Sequence, residues 1–403
     1  MAFKYGFCDG FTDLPCPSPL SSLPPSKGIL GCGELTAFVT SQCGAPRLCQ
    51  LTDASLISWG RKLDAVSEAQ VVVPTGGSAD SECCECLSEV EPWCHELHIF
   101  RNGVFVWGGP ITKVTYGYEQ VTIDARDVLV WTQFRVLECI IDYTPTGSGS
   151  ADISTIAHTL LNVAFAESDP CVLDFIRSYP TTLTNFSAFL HCFEKTVQQQ
   201  LDDLASSGLD YTVLGRSILL GGSDLPVRAL GVLHDEMILG DISIVKDGLL
   251  AGNRFFVTYQ DDDNPVQCAS LVPGVDITHG CPCKCPAISE GGHECYGLLE
   301  RLLNDASGFD YNAAKQTADA YLAACRIVPR SIEFSSGTRI SPETPWDIND
   351  MVPGQRVDVA LTGLCIPIYQ SFRLLEMNSK QEGLGEEQVD ITLGSVNQFT
   401  GTV

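Results

Sequence analysis

Apolar and polar residues alternate in two stretches of this chain, one towards each end, and the spacing between them is helical. In CHELHIFRNGVFVWGGP, His95, Leu97 and Ile99 alternate with Glu96, His98 and Phe100. Beyond Asn102-Gly103, Phe105 and Trp107 alternate with Val104 and Val106. Successive strand side chains point to opposite faces, so the pattern predicts a β-hairpin. Asn-Gly fills a two-residue type I′ turn because both positions need positive φ. Upstream, LTDASLISW and EAQVVVP (68–74) predict strands, the second closed by Pro74. VTYGYEQVTIDARD predicts another hairpin, with Val121 and Ile123 on one face and Thr122 and Asp124 on the other. A short helix through Asp127–Trp131 is expected to seal the end of the resulting barrel.

GSGS at 147–150 marks a boundary. After it, Ile153, Ile156, Leu160 and Leu161 fall at helical spacing. Val197, Leu201 and Leu204 form one stripe of a second helix, with Gly208 placed to cap its C-terminus. DYTVL and SILL, joined through Gly215-Arg216, predict two short strands. Two more helices are expected at CYGLLERLLND and AAKQTADAYLAACR. Strands return at IVPRSIEFS, QRVDVALT, FRLLEMNS and EQVDITLG, where Val389, Ile391 and Leu393 alternate.

The fold class is therefore mixed β and α+β. A cysteine- and proline-rich arm spans 1–50, read as irregular, and a first β-barrel domain 51–146. An inserted α+β domain covers 150–265 and a cysteine-rich loop 266–295. A helical pair and further strands occupy 296–403, and those strands either complete the first barrel or form a second. No period of 20–50 residues repeats.

Composition narrows the function classes. Of 403 residues, 50 are acidic and 24 basic, and the formal charge of −26 argues against a surface that grips phosphate backbones. The 36 glycines and 22 prolines suit many short strands and turns. No run of eighteen apolar residues exists to span a bilayer. MAFKYGFCDGF lacks the pattern of a signal peptide. Nineteen cysteines are nevertheless many for a reducing cytosol, and an odd number leaves at least one free, shared between chains or bound to metal.

HELH suggests metal chemistry, but a zincin needs two histidines four apart on a helix. His95 and His98 are three apart on a strand and diverge, which leaves a partly exposed histidine pair. Cys83, Cys84, Cys86 and Cys94 suit zinc, free thiols or disulfides tying a loop to the hairpin base. The adjacency of Cys83 and Cys84, with no second C-x-x-C step nearby, favours disulfides. His279 and the zinc candidates Cys281, Cys283, Cys285, His293 and Cys295 crowd one loop. Their C-x-C-x-C spacing in a proline-rich context also favours disulfides among the four cysteines, and either linkage would stiffen the loop. Gly31-Cys32-Gly33 lacks the third glycine of a dinucleotide fingerprint, and Asp261-Asp262-Asp263-Asn264 lacks the register of a calcium loop. There is no nucleophile elbow and no phosphate-cradling loop, so nothing argues for an enzyme or a cofactor.

Together, SWGRKLDAVSEAQVVVP, EPWCHELHIFRNGVFVWGGPITKV and VTIDARDVLVW resemble the N-terminal domain of minor tail proteins from siphophages of actinobacteria. CYGLLERLLND, RISPETPWDINDMVPGQRVDVAL, RLLEMN and GEEQVDITLG resemble that family's C-terminal part in the same order. The resemblance covers about three quarters of the chain; the arm at 1–50, the cysteine density and the HGCPCKC loop fall outside it. It implies a non-enzymatic baseplate hub of the virion tail, with two tube-like β-barrel domains per chain, an inserted α+β domain and a homotrimer presenting six barrels to the tube. It implies tube, distal-tail and tail-tip or fibre proteins as partners, and an acidic channel through which DNA slides without specific binding. Assembly in the host cytoplasm and oxidation after release would account for the cysteines. It also implies that Trp59, Trp93, Trp107 and Trp131 are buried barrel anchors, with an inter-subunit contact as the alternative for Trp93. The rival functions are a receptor- or sugar-binding tail-tip module and a cell-wall-degrading tail enzyme.

Overall fold

The computed structural model describes residues 30–395 apart from 45–46, 76–85, 139–140, 143–150, 167, 170, 173–174, 182–188, 191–192, 222–229, 260–285, 292–297, 307–310, 326–327, 329 and 335–337. The first strands are β1 (Leu35–Ser41), β2 (Arg47–Leu51), β3 (Leu56–Lys62) and β4 (Glu68–Pro74). They are followed by β5 (His95–Arg101), β6 (Val104–Tyr116) and β7 (Gln120–Arg126). A middle group holds β8 (Ile141–Asp142), helix α1 (Ile153–Phe165), β9 (Ile176–Ser178), β10 (Phe189–Leu190), helix α2 (Val197–Ser206), β11 (Asp210–Leu214) and β12 (Ser217–Gly221). Next come β13 (Leu233–His234), β14 (Ile238–Leu239), β15 (Ile242–Lys246), β16 (Arg254–Tyr259), β17 (Pro286–Glu290) and β18 (Glu300–Ala306). The chain ends with helix α3 (Tyr311–Cys325), β19 (Arg330–Phe334), β20 (Arg339–Ile340), β21 (Arg356–Leu361), β22 (Ile368–Glu382) and β23 (Glu387–Ser395).

Strands from both ends of the chain share one sheet, ordered β15-β19-β23-β22-β3-β4-β7-β6-β5-β1-β2, with β21 on the first half of β22 and β13 parallel to β21. Its other pairings are antiparallel. Two long strands make this continuity possible. β6 pairs with β5 through Pro110 and then, across a bulge between Ile111 and Lys113, with β7. β22 pairs with β21 and then with β3, where Ser379 faces Trp59. Side-chain bonds also draw the sheet back on itself. The Leu35 amide donates to Gln381 Oε1 (2.9 Å), although five strands separate β1 from β22 along the sheet.

The inward positions of these strands make one core, in which Trp59, Val71, Ile99 and Trp107 pack with Trp346, Met377 and Ile391. Burying such a side chain contributes about 1.5–3 kcal/mol, so each end of the chain depends on the other for its apolar face. A second core lies where α1 and α2 cover β9, β12 and β11, and it includes Leu160, Leu201, Tyr211 and Phe255. The α2 N-terminus carries a capping box in which Thr196 and Gln199 each bond the other's backbone. Gly208 follows the helix at φ +105°, a conformation that favours glycine.

Two expectations are corrected. The helix expected at CYGLLERLLND is replaced over Glu300–Ala306 by a strand parallel to β16, because docking beside that strand outweighs the helical leucine spacing. The second expected helix does form as α3, and its Ala314, Ala318 and Tyr321 join the second core. Residues 35–51 are not an irregular arm, since Leu35, Ala37 and Val39 alternate inward along β1. In the sequence their period is masked by the surrounding cysteines and turn formers.

Candidate functional site

The most concentrated chemistry in the described residues is a set of buried ion pairs at the joints between these parts. At the seam between the two ends of the chain, Arg101 Nε and Nη2 donate to the Glu387 carboxylate at 2.8–3.0 Å, both side chains fully buried. The same carboxylate accepts from the Gly31 amide (3.2 Å), the Gly33 amide (3.1 Å) and the Ser379 hydroxyl (3.0 Å). The Gly-Cys-Gly segment is thus a backbone clasp around a carboxylate. A Cβ on Gly33 would lie 2.7 Å from Glu387 Oε2.

Arg61 on β3 makes a second joint. Its guanidinium donates to the carbonyls of Ile348 (2.6 Å), Met351 (3.2 Å) and Val106 (3.3 Å) and lies 5.1 Å from the Trp59 ring. Burial pulls its pKa down to about 9, so it stays charged at neutral pH. In the 3₁₀ turn Val128–Phe134, the N-cap Asp127 accepts from the Ser67 amide and hydroxyl (2.6 Å each) and the Leu129 amide (3.0 Å). Burial pushes this carboxyl up to about 6 against those bonds. Trp107 Nε1 donates to the same Ser67 hydroxyl (3.2 Å).

The α+β unit meets the sheet through two more pairs. Arg373 on β22 pairs with Asp210 at the start of β11. Arg216, in the β11–β12 turn, pairs with Glu96 on β5, and His98 Nε2 lies 3.0 Å from the same Glu96 oxygen. Burial pushes Glu96 up, but the His98 bond and the Arg216 charge outweigh it, for a net downward shift. Burial holds His98 below its ordinary value. The expected partly exposed histidine pair is therefore corrected at His98, which is buried because Phe105 and the Arg216 turn cover that strand face. His95 instead accepts from the Glu91 amide (2.8 Å), so the two histidines do not converge. A sealed Glu–His–Arg cluster gives substrate no access and is suited to joining parts.

Cys86 is bonded to Cys49 on β2, not to another cysteine of 83–94, because its turn packs on that strand's edge. Cys94, named with it as a disulfide candidate, is an exposed free thiol at the start of β5. Cys43 is bonded to Cys171. Cys83, Cys84, His279, Cys281, Cys283, Cys285, His293 and Cys295, and the 261–264 acidic turn, lie outside the described residues. Among the described residues no three His, Cys, Asp or Glu side chains are grouped to hold a metal ion.

Of the four tryptophans expected as barrel anchors, Trp59 and Trp107 are buried. Trp93 and Trp131 are corrected: they are half-buried and pack with ring centroids 4.9 Å apart and planes tilted by 57°, with Phe134, 64% exposed, also 4.9 Å from Trp93. Trp93 has φ +67°, uncommon for a bulky residue, and its amide donates to Ile111 (2.8 Å). The cluster lies outside the main core because the 3₁₀ turn places Trp131 against the second one.

The fold is a mostly antiparallel, β-rich scaffold with few helices, whose buried charges join its parts. No protein-family model matches the chain, and no curated protein matches it in sequence. Solved structures do match. A tail protein from Neisseria meningitidis superposes with TM-score 0.58 over 91% of this chain and 98% of its own, at 13% identity. The 43 kDa tail protein of prophage MuSo2 from Shewanella oneidensis gives 0.57 over 90% and 99%, at 10% identity. Prophage tail protein gp18 from Listeria monocytogenes gives 0.54 over 91% and 95%, also at 10% identity. The likeness to these three phage tail proteins is one of fold.

Proposed function

We propose that the chain is a structural, non-enzymatic component of a phage tail, located in the virion. Three copies form the hub ring beneath the tail tube, and each contributes two tube-like barrels. The observation that carries this reading is the fold shared with three phage tail proteins over 95–99% of their lengths. The return of the sheet on itself, locked by Arg101 and Glu387, supports a closed wall. The formal charge of −26 suits a channel that DNA passes without adhering. The Trp93–Trp131–Phe134 cluster, half-buried at the tryptophans and exposed at Phe134, is the contact with a neighbouring copy, since such aromatics are typical interface anchors.

Sedimentation of the full-length protein over a range of concentrations, with antibody labelling of assembled tails, tests this. The expected results are a trimer and label at the distal end of the tube. A strictly monomeric protein that never labels tails would overturn it.

A further inference from the structure

Two kinds of link between the sheet and the α+β unit converge on one segment. Cys43 lies just after β1 and is bonded to Cys171, which precedes β9, with Cα atoms 5.6 Å apart and a separation of 128 in sequence. Both sit at positive φ, +70° and +62°, a region that L-residues with side chains rarely adopt. Beside this bond, Arg216 donates to the Cys171 carbonyl (3.4 Å), lies 5.7 Å from the Phe175 ring and pairs with Glu96. Covalent bond and ion pair therefore act at neighbouring points: Cys43 follows β1, whose Thr40 faces Glu96 in the sheet, and Arg216 bonds Cys171 on the other side.

We propose that Cys43 and Cys171 form a redox-set clamp that fastens the Cys171 end of the α+β unit to the sheet when oxidised and leaves it held there only by non-covalent contacts, the Arg216 bonds to Glu96 and to the Cys171 carbonyl among them, when reduced. Cys43 is exposed and Cys171 half-buried, so Cys43 reacts first. Its thiolate attacks a small-molecule disulfide, forming a mixed disulfide and releasing one thiol. The Cys171 thiolate then attacks the Cys43 sulfur and expels the second thiol. Two protons leave the protein and two electrons pass to the oxidant. Cys49–Cys86 is not part of this device, because it fastens β2 to a turn on the sheet's own side.

The test is hydrogen exchange on the full-length protein, oxidised with glutathione disulfide and then reduced with a phosphine. Local opening governs exchange, so reduction is expected to speed it at least about tenfold at Cys171 and Val172 while β3, β4 and β22 are unchanged. Cys43→Gly, which accepts the positive φ without steric cost, is expected to exchange fast in both conditions. Cys49→Ser is expected to respond to reductant as wild type does. If exchange at Cys171 and Val172 ignores the reductant, or if both Cys43 and Cys171 are alkylated in the oxidised protein, the clamp is refuted. Should the variants fail to fold, the oxidised and reduced wild-type protein decide it alone.

Discussion

Replacing Glu387 by Gln tests whether the seam depends on charge. The Glu387 carboxylate faces the fully buried Arg101 guanidinium with three contacts at 2.8–3.0 Å, and it also closes the Gly31 and Gly33 amides. Gln keeps one carbonyl for those amides but removes the negative charge. Taking one partner from a buried ion pair costs about 3–5 kcal/mol, whereas one neutral hydrogen bond is worth only about 0.5–1.5 kcal/mol. The charge therefore dominates. For a chain of this size the melting temperature should fall by roughly 6–10 °C, at about 2 °C per kcal/mol. A second variant separates charge from shape. Arg101→Met with Glu387→Leu removes both ions, and apolar replacement of a whole buried pair is often neutral, so it should recover at least half of the loss despite the unmatched glycine amides. Thermal and denaturant unfolding of the three proteins gives the comparison. A single substitution costing under about 1 kcal/mol, the scale of an exposed pair, would refute the reasoning, as would a double variant no better than the single.

Three further outcomes follow from the described contacts. Asp127 has a folded pKa of about 6 against 3.8, so the folded state retains a proton that the unfolded chain releases, and stability should fall by about 3 kcal/mol as pH rises from 4 to 6; an Asp127→Asn protein with an unchanged pH slope in that window would exclude the assignment. Gly109→Ala should destabilise by about 3 kcal/mol because its Cβ would lie 2.8 Å from the Asp127 Cα. Gly103→Ala, with open space around it, should cost only the left-handed backbone, about 1–2 kcal/mol, and equal losses at the two sites on denaturant unfolding would contradict the packing. Phe134→Ser should change monomer stability by no more than about 0.5 kcal/mol yet measurably weaken, by sedimentation, the trimer proposed above, and an unaltered assembly would remove this face from the proposed interface.

The local elements were legible where one physical signal dominated. Asn102-Gly103 gave the hairpin, Gly208 the end of α2, and Gly215-Arg216 the turn between β11 and β12. At 300–306 leucine spacing pointed to a helix, and only the presence of β16 beside it makes a strand. The joints were missed because their partners are far apart in sequence: Arg101 and Glu387 are separated by 286 residues. A signal was nevertheless present. Arg61 continues the inward series Ile57 and Trp59, Arg101 continues Leu97 and Ile99, and Glu387 precedes Val389 and Ile391 in the same alternation. A charge at an inward register position requires a buried partner, so those three positions identify the seam before any coordinates are known. For Trp93 and Trp131 no such register applied, since one precedes β5 and the other sits in a 3₁₀ turn.

The distribution of buried charge bears on function as well as stability. An active site requires titratable groups that are perturbed yet reachable by substrate. In the described residues, Arg61, Glu96, Arg101, Arg216, Arg373 and Glu387 are buried instead at contacts between separate parts of the chain. Apolar contacts at those joints would supply stability but could slide, because burial is non-directional. A guanidinium bonded to specific carbonyls and carboxylates has a fixed direction and so sets the register of one part against another. The ring proposed above would need that constraint, since a small rotation between the two halves of each copy would accumulate around the circle and prevent closure. Arg61 and the Arg101–Glu387 pair hold the ends of the chain in register, while Glu96–Arg216 and Asp210–Arg373 seat the α+β unit at two separate points, which fixes its orientation as well as its position.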